Sequence, residues 1–163
     1  MQPQVGDFIL CERRGFIARC IRLGQSIRFR GPDRKYARFT HAALVVSRDG
    51  ALVEATSKGV ERSHLTKFKD VPYVMVHTYT GHEDQGQILR FANRVVGEEY
   101  GYATIACCVL GLLTGGAFTF GFQGQSICSG LVARAQERSG AYFDRLAEDI
   151  MPADLARYYK VVA

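Results

Sequence analysis

The sequence predicts an α+β fold, a small antiparallel sheet with helices packed on one side. Three observations lead there. Short runs rich in Val, Ile, Phe, Tyr and Thr recur along the N-terminal half and are bounded by turn-forming residues. Other segments place apolar residues three and four apart, the period of an amphipathic helix. Two of the β-rich runs are joined by so short a turn that they must pair antiparallel. The chain, 1–163, is expected to form a single domain. Its 163 residues, 47% hydrophobic and 23% charged, suffice for one substantial core and argue against disorder. No repeat, low-complexity tract or Pro/Ser-rich linker divides it.

Taken in order, residues 5–11 (VGDFILC) read as a strand and 14–28 as a helix. Residues 39–46 and 51–56 form a hairpin around the turn signal Arg48-Asp49-Gly50. VPYVMVHTY, 71–79, alternates as a further strand. QGQILRFANRVVG sets Ile88, Leu89, Ala92, Val95 and Val96 on one helical face and stops at Gly97. Residues 103–122, ATIACCVLGLLTGGAFTFGF, carry no charge and reach the length of a membrane span. Four glycines, including Gly115-Gly116, argue for a buried helix over Tyr102–Leu113 and a Gly/Phe-rich loop over Thr114–Gly124 instead. That loop either fills the core or serves as an acyl pocket or lid near Cys128. SICSGLVARAQERSG reads as a helix with Ser126 as N-cap and Gly140 as its stop. Pro152 and Asp154 begin a short helix or turn, and Tyr158–Val162 reads as a last strand.

The chemistry centres on Cys128. It falls in the first turn of its helix, where unpaired N–H groups and the positive end of the helix dipole favour an anion and lower a thiol's pKa. The matching base is His41, at the head of the hairpin. If the hairpin loop has two or four residues, Glu54 lies opposite Ala43 or Val45 and shares a face with His41. Glu54 then orients the imidazole and leaves its other nitrogen for Cys128, a Cys–His–Glu constellation suited to nucleophilic catalysis.

These pieces resemble the circularly permuted branch of the NlpC-type, papain-like cysteine hydrolases, in which the histidine strand precedes the cysteine helix. VGDFILCE is similar to that family's opening strand, and FTHAALVV with ALVEATSKGV to its histidine and acidic strands. GEEYGY resembles the tyrosine-bearing segment before the nucleophile, SICSGLVARA the cysteine helix, and IMPADLAR the C-terminal Pro-x-Asp-Leu element. The long apolar stretch before the cysteine departs from the family pattern and bears on the shape of the substrate pocket. The resemblance implies a papain-like fold with Cys128 as nucleophile, His41 as base and Glu54 as the orienting residue. It implies an amidase or endopeptidase acting on cell-wall-type peptides through an acyl-thioester. The permuted order is also similar to that of the lecithin:retinol acyltransferase-like proteins, which implies a lipid acyl substrate as the alternative. A binding module that keeps the fold without catalysis is the third reading. Tyr100 or Tyr102 would help position the substrate, or else belong to the core.

No cofactor or metal is expected. Cys11, Cys20, Cys107 and Cys108 sit in apolar or helical contexts as buried thiols, without Cys-x-x-Cys or His-x-x-x-His spacing. His64, His77 and His82 fall in separate segments. The odd count of five cysteines suits a reducing compartment. The opening MQPQVGDFIL lacks the basic and apolar blocks of a secretory leader, so the expectation is a cytoplasmic protein or one exported without a cleavable signal.

The net charge of +5 is concentrated in residues 13–38, which hold nine Lys or Arg against Asp33 alone. There Phe16, Ile17, Cys20, Ile21, Gly24 and Ile27 follow helical spacing among Arg19, Arg22 and Arg28. The reading is a basic amphipathic helix, either an ordinary surface helix or a rim that contacts an anionic surface such as phospholipid head groups. No recognition motif accompanies the charge, and no nucleic acid partner is expected.

Overall fold

The computed structural model describes residues 2–98 and 128–161. Five strands form one sheet: β1 (Phe8–Cys11), β2 (His41–Val45), β3 (Ala51–Thr56), β4 (Gly59–His64) and β5 (Tyr73–Val76). Their spatial order is β4-β3-β2-β1-β5, and every neighbouring pair is antiparallel. The α-helices are α1 (Phe16–Arg28), α2 (His82–Val95), α3 (Cys128–Glu137) and α4 (Pro152–Tyr158). The architecture is α+β, as the sequence predicts.

Strand alternation divides the core in two. Phe8, Leu10, Ala42, Leu44, Val53 and Ala55 point to one face, where they meet Ile88 and Ala92 of α2, Leu131, Val132 and Ala135 of α3, and Leu155 and Ala156 of α4. On the other face Ile9, Cys11, Ala43, Val45 and Leu52 are covered by Phe68 and Leu65 from a single 3-10 turn (Leu65–Phe68). The β2–β3 hairpin closes on a four-residue loop, residues 47–50, in the register that sets Glu54 opposite Ala43. Val45 faces Leu52, the Val46 N–H donates to the Ala51 carbonyl, and the Gly50 N–H donates to the Ser47 carbonyl. Gly50 sits at φ 95°, and a Cβ there would lie 2.9 Å from Leu65, so the loop and the covering turn together require glycine.

Helix α3 ends as its sequence suggests. The Ala141 N–H reaches the Gln136 carbonyl and the Gly140 N–H the Glu137 carbonyl, a Schellman motif with Gly140 at φ 83°. The expected strand over Tyr158–Val162 does not form in its described part. Tyr158 is the last residue of α4, and Lys160 at φ 49° closes a second such motif, with Val161 N–H donating to the Ala156 carbonyl. Capping of the helix end, together with edge-to-face packing of Tyr159 on Phe8 at 5.1 Å, outweighs the β propensity of the aromatic run. Strand β4 is an element the sequence reading lacked. It lies at the sheet edge, and its GVERSH composition has no apolar alternation to announce it.

Helix α1 lies off the sheet, against a 3-10 segment (Gly31–Arg38). Its buried residues are Ala18, Gly24 and Gln25, while Phe16, Ile17, Leu23 and Ile27 are exposed and Cys20 is half-buried. The expectation that Cys20 is a buried thiol is therefore corrected. Gln25 determines the face that turns inward. Its amide donates to the carbonyls of Ala37 and Phe39 and accepts from the Ala153 N–H, tying α1, the 3-10 segment and α4 together. Among the described residues no helix is long and apolar enough to cross a membrane. Cys107, Cys108, Tyr100, Tyr102, Ser126 and the apolar stretch 103–122 lie outside the described residues.

Candidate functional site

His41 is the first residue of β2 and pairs with Cys11 of β1, so its ring lies on the face covered by Phe68. The two rings stack at 6.2 Å with 15° between their planes. Glu54, on β3, lies on the same face, as the short hairpin loop requires. His41 Nε2–H donates to Glu54 Oε2 at 2.7 Å, and both side chains are buried. Helix α3 packs across β2 and β3 and brings Cys128, its first described residue, to the end of the sheet beside His41.

The electrostatics of the three groups are linked. Burial alone would push the Cys128 thiol up, but the charge of His41, a hydrogen bond from its ring, and the backbone N–H groups of Ala42 and Ser129 bring it below its ordinary value. Burial acts on His41 in the opposite sense, lowering its pKa, and the charge and hydrogen bond of Cys128 together with the hydrogen bond to Glu54 raise it overall. With Nε2 engaged by Glu54, Nδ1 is the nitrogen that faces the thiol. Both directions favour a thiolate–imidazolium pair over the neutral one.

Glu54 is fully buried, and burial penalises its charge. Its hydrogen bonds to His41 and Lys67 reverse that penalty and hold the carboxyl at about 2. Lys67, in the covering 3-10 turn, donates to Glu54 Oε1 at 2.7 Å and to Glu61 at 3.1 Å. Glu61 is the cross-strand partner of Glu54 on β4, so Lys67 neutralises a like-charge pair that would otherwise destabilise the sheet. Arg13 donates to Glu54 Oε2 at 2.9 Å, its guanidinium lying 5.3 Å over the Phe68 ring. The Arg13 backbone N–H is held in turn by the Thr40 hydroxyl, one residue before His41.

The structure thus brings together His41, Glu54 and Cys128, the three residues singled out from the sequence, and adds Arg13, Lys67 and Phe68. Sequence reasoning counted Arg13 in the basic segment 13–38 and passed over Lys67. A buried carboxylate must find cationic partners, yet which cation reaches it depends on how the 65–68 turn folds back over the sheet. Among the described residues no group of three or more His, Cys, Asp and Glu side chains is arranged to hold a metal ion. His64, His77 and His82 stay apart: His64 bonds the Asp49 carbonyl, His77 bonds Asp7 at 2.8 Å, and His82 opens α2.

No protein-family model matches the chain, and no curated protein does. Among solved structures it is similar to the metalloprotein YiiX (DUF1105) from Escherichia coli O157:H7, at 19% identity and a TM-score of 0.59. The match covers 85% of this chain and 67% of that one. At that identity the likeness speaks to the shared fold alone.

Proposed function

We propose that the protein is a thiol hydrolase of permuted papain-like type, with Cys128 as nucleophile, His41 as general base and Glu54 as the orienting carboxylate. The observation that carries this reading is the cluster itself: Cys128 opens α3 beside His41, whose Nε2–H donates to the buried Glu54 carboxylate at 2.7 Å. A thiol buried at this position should be hard to ionise, and its surroundings reverse that. In the reaction His41 Nδ1 holds the Cys128 proton while the thiolate attacks a substrate carbonyl carbon. The N–H groups at the start of α3 stabilise the oxyanion. Collapse of the tetrahedral intermediate breaks the scissile bond as His41 returns the proton to the leaving amine, giving an acyl-thioester. His41 then takes a proton from water, the resulting hydroxide attacks the thioester, and the thiolate leaves.

The preferred substrate is a peptide amide of the cell-wall type. A second reading, a lipid ester, is favoured by one feature: the exposed apolar and basic face of α1 begins three residues after Arg13, which touches Glu54. YiiX is described as a metalloprotein. Here both Glu54 oxygens are already paired with cationic side chains and His41 Nε2 with Glu54, a donor set that does not fit a metal, so no step passes through one.

The test is the pH dependence of Cys128 alkylation by iodoacetamide, followed by peptide mass in wild type and His41→Ala. The expected wild-type midpoint lies below the ordinary thiol value of about 8.5, and above it in the variant, where burial acts unopposed. Equal midpoints in the two proteins would sink the proposal and leave a binding module. Parallel digests of muropeptides and of phospholipid vesicles then separate the amide from the ester reading.

A further inference from the structure

The outer face of α1 has no structural task in the core. Phe16, Cys20, Leu23 and Ile27 recur at i, i+4, i+7 and i+11 and form one stripe along the helix. The stripe points away from the buried Ala18 and Gln25. Phe16 is 79% exposed, Leu23 60% and Ile27 50%, with Ile17 at 43% beside them. A helix that turns its apolar stripe outward presents a surface for something else to cover.

Its charges indicate what covers it. A groove at the N-terminal end of α1 is lined by Arg13, Arg14, Arg19, Arg22, Glu12 and Pro72. The one carboxylate there is already engaged, since Glu12 pairs with Arg22 at 2.9 Å and with Arg38 at 3.5 Å. Arg14 and Arg19 are exposed and pair with no carboxylate among the described residues. Arg30, Arg34 and Lys35 continue the exposed positive surface beyond the helix. Apolar side chains flanked by long cationic ones, on a helix lying along the molecular surface, match the boundary between acyl chains and anionic head groups. The aliphatic residues enter the hydrocarbon edge, and the guanidinium groups remain at the level of the phosphates. An acidic protein surface would answer the arginines but would bury the stripe only with an apolar patch of its own.

We propose that α1 docks the protein on an anionic phospholipid surface, with Phe16, Leu23 and Ile27 at the acyl boundary and Arg14 and Arg19 on headgroup phosphates. The surface adjoins the Cys–His–Glu cluster through Arg13, so docking would turn that end of the sheet toward the lipid. The proposal does not depend on the chemistry assigned to Cys128.

The experiment is flotation of the full chain with vesicles of phosphatidylcholine alone, or with about 30 mol % phosphatidylglycerol. Wild type is expected to float with the anionic vesicles only, and to release at about 0.5 M salt. Arg14→Gln/Arg19→Gln should weaken binding about thirtyfold. Phe16→Ser/Leu23→Ser/Ile27→Ser should weaken it by about tenfold or more. Arg13 is left intact because it contacts Glu54. All altered side chains are solvent-exposed, and circular dichroism with thermal melting checks that the variants fold. Four results would overturn the proposal: no wild-type flotation, equal flotation with neutral vesicles, unchanged binding by the triple variant, or a wild-type dimer in solution that the triple variant disperses. The last would make a second copy of the chain the occupant.

Discussion

Replacing Glu54 by Gln tests the electrostatic reading of the site directly. The substitution keeps the shape and the hydrogen-bonding reach of the side chain but removes a buried charge that meets His41 at 2.7 Å, Lys67 at 2.7 Å and Arg13 at 2.9 Å. The carboxyl falls from its ordinary 4.5 to about 2 in the folded protein, which corresponds to about 3 kcal/mol of stability. An independent argument gives the same scale. Breaking a buried ion pair costs about 3–5 kcal/mol when the partner charge stays stranded. Here Arg13 and Lys67 are 33% and 44% exposed and can rehydrate, while His41 can discharge, so the low end applies. The sign in pH follows from the depressed pKa. The contribution is fully present above about 4.5 and is lost as the pH falls through about 2. Urea unfolding of wild type and Glu54→Gln at pH 7 should therefore differ by about 3 kcal/mol, a gap that nearly closes by pH 2. Equal stabilities at pH 7, or a gap that persists unchanged to pH 2, would refute the assignment of Glu54 as an ionised anchor for His41.

Two further outcomes follow from other parts of the molecule. Cys11 lies in the sheet beside His41, but burial pushes its thiol up to about 12 despite the nearby Arg13, so iodoacetamide at pH 7 should label Cys128 and leave Cys11 untouched. Comparable labelling of both in the folded protein would mean that position relative to His41 does not govern reactivity. Gln25→Ala should destabilise the fold by about 2–4 kcal/mol in urea unfolding, since it leaves the carbonyls of Ala37 and Phe39 and the Ala153 N–H without their partner. A loss under about 1 kcal/mol would show that water replaces the side chain there.

What could be read from the sequence divides along physical lines. The hairpin was legible because Arg48-Asp49-Gly50 marks the turn locally, and both registers open to an even loop put Glu54 on the face of His41. Helix α3 was legible from its apolar spacing and from Gly140, whose positive φ closes it. Strand β4 was not, because an edge strand half in water carries Glu61, Arg62 and Ser63 with no alternation to reveal it. The supposed last strand failed for the opposite reason. Tyr158 and Tyr159 have β propensity, but Asp154 caps the Met151 N–H, and burial of Leu155 and Ala156 carries the helix through to Tyr158. Within the site, the pairing of His41 with Glu54 is a two-strand property that the sequence determines. The clamp of Arg13 and Lys67 on Glu54 needs a loop from each side of the sheet edge, which no local pattern encodes.

Helix α1 marks the limit of periodicity as a guide. Spacing announced an amphipathic helix over 14–28, which forms over Phe16–Arg28, but an apolar stripe is ordinarily read as the buried side. The buried side here is set by Gln25, whose three hydrogen bonds to backbone groups of two other segments can form only if the helix turns that face inward. Small neighbours permit the close approach, Ala18 and Gly24 lying on the same buried surface. One satisfied polar side chain thus outranks four apolar ones in orienting the helix, and the exposure it imposes on Phe16, Leu23 and Ile27 is a cost that folding alone does not recover. Contact with a lipid surface would recover it, and the arginines beside the stripe are placed to make that surface an anionic one.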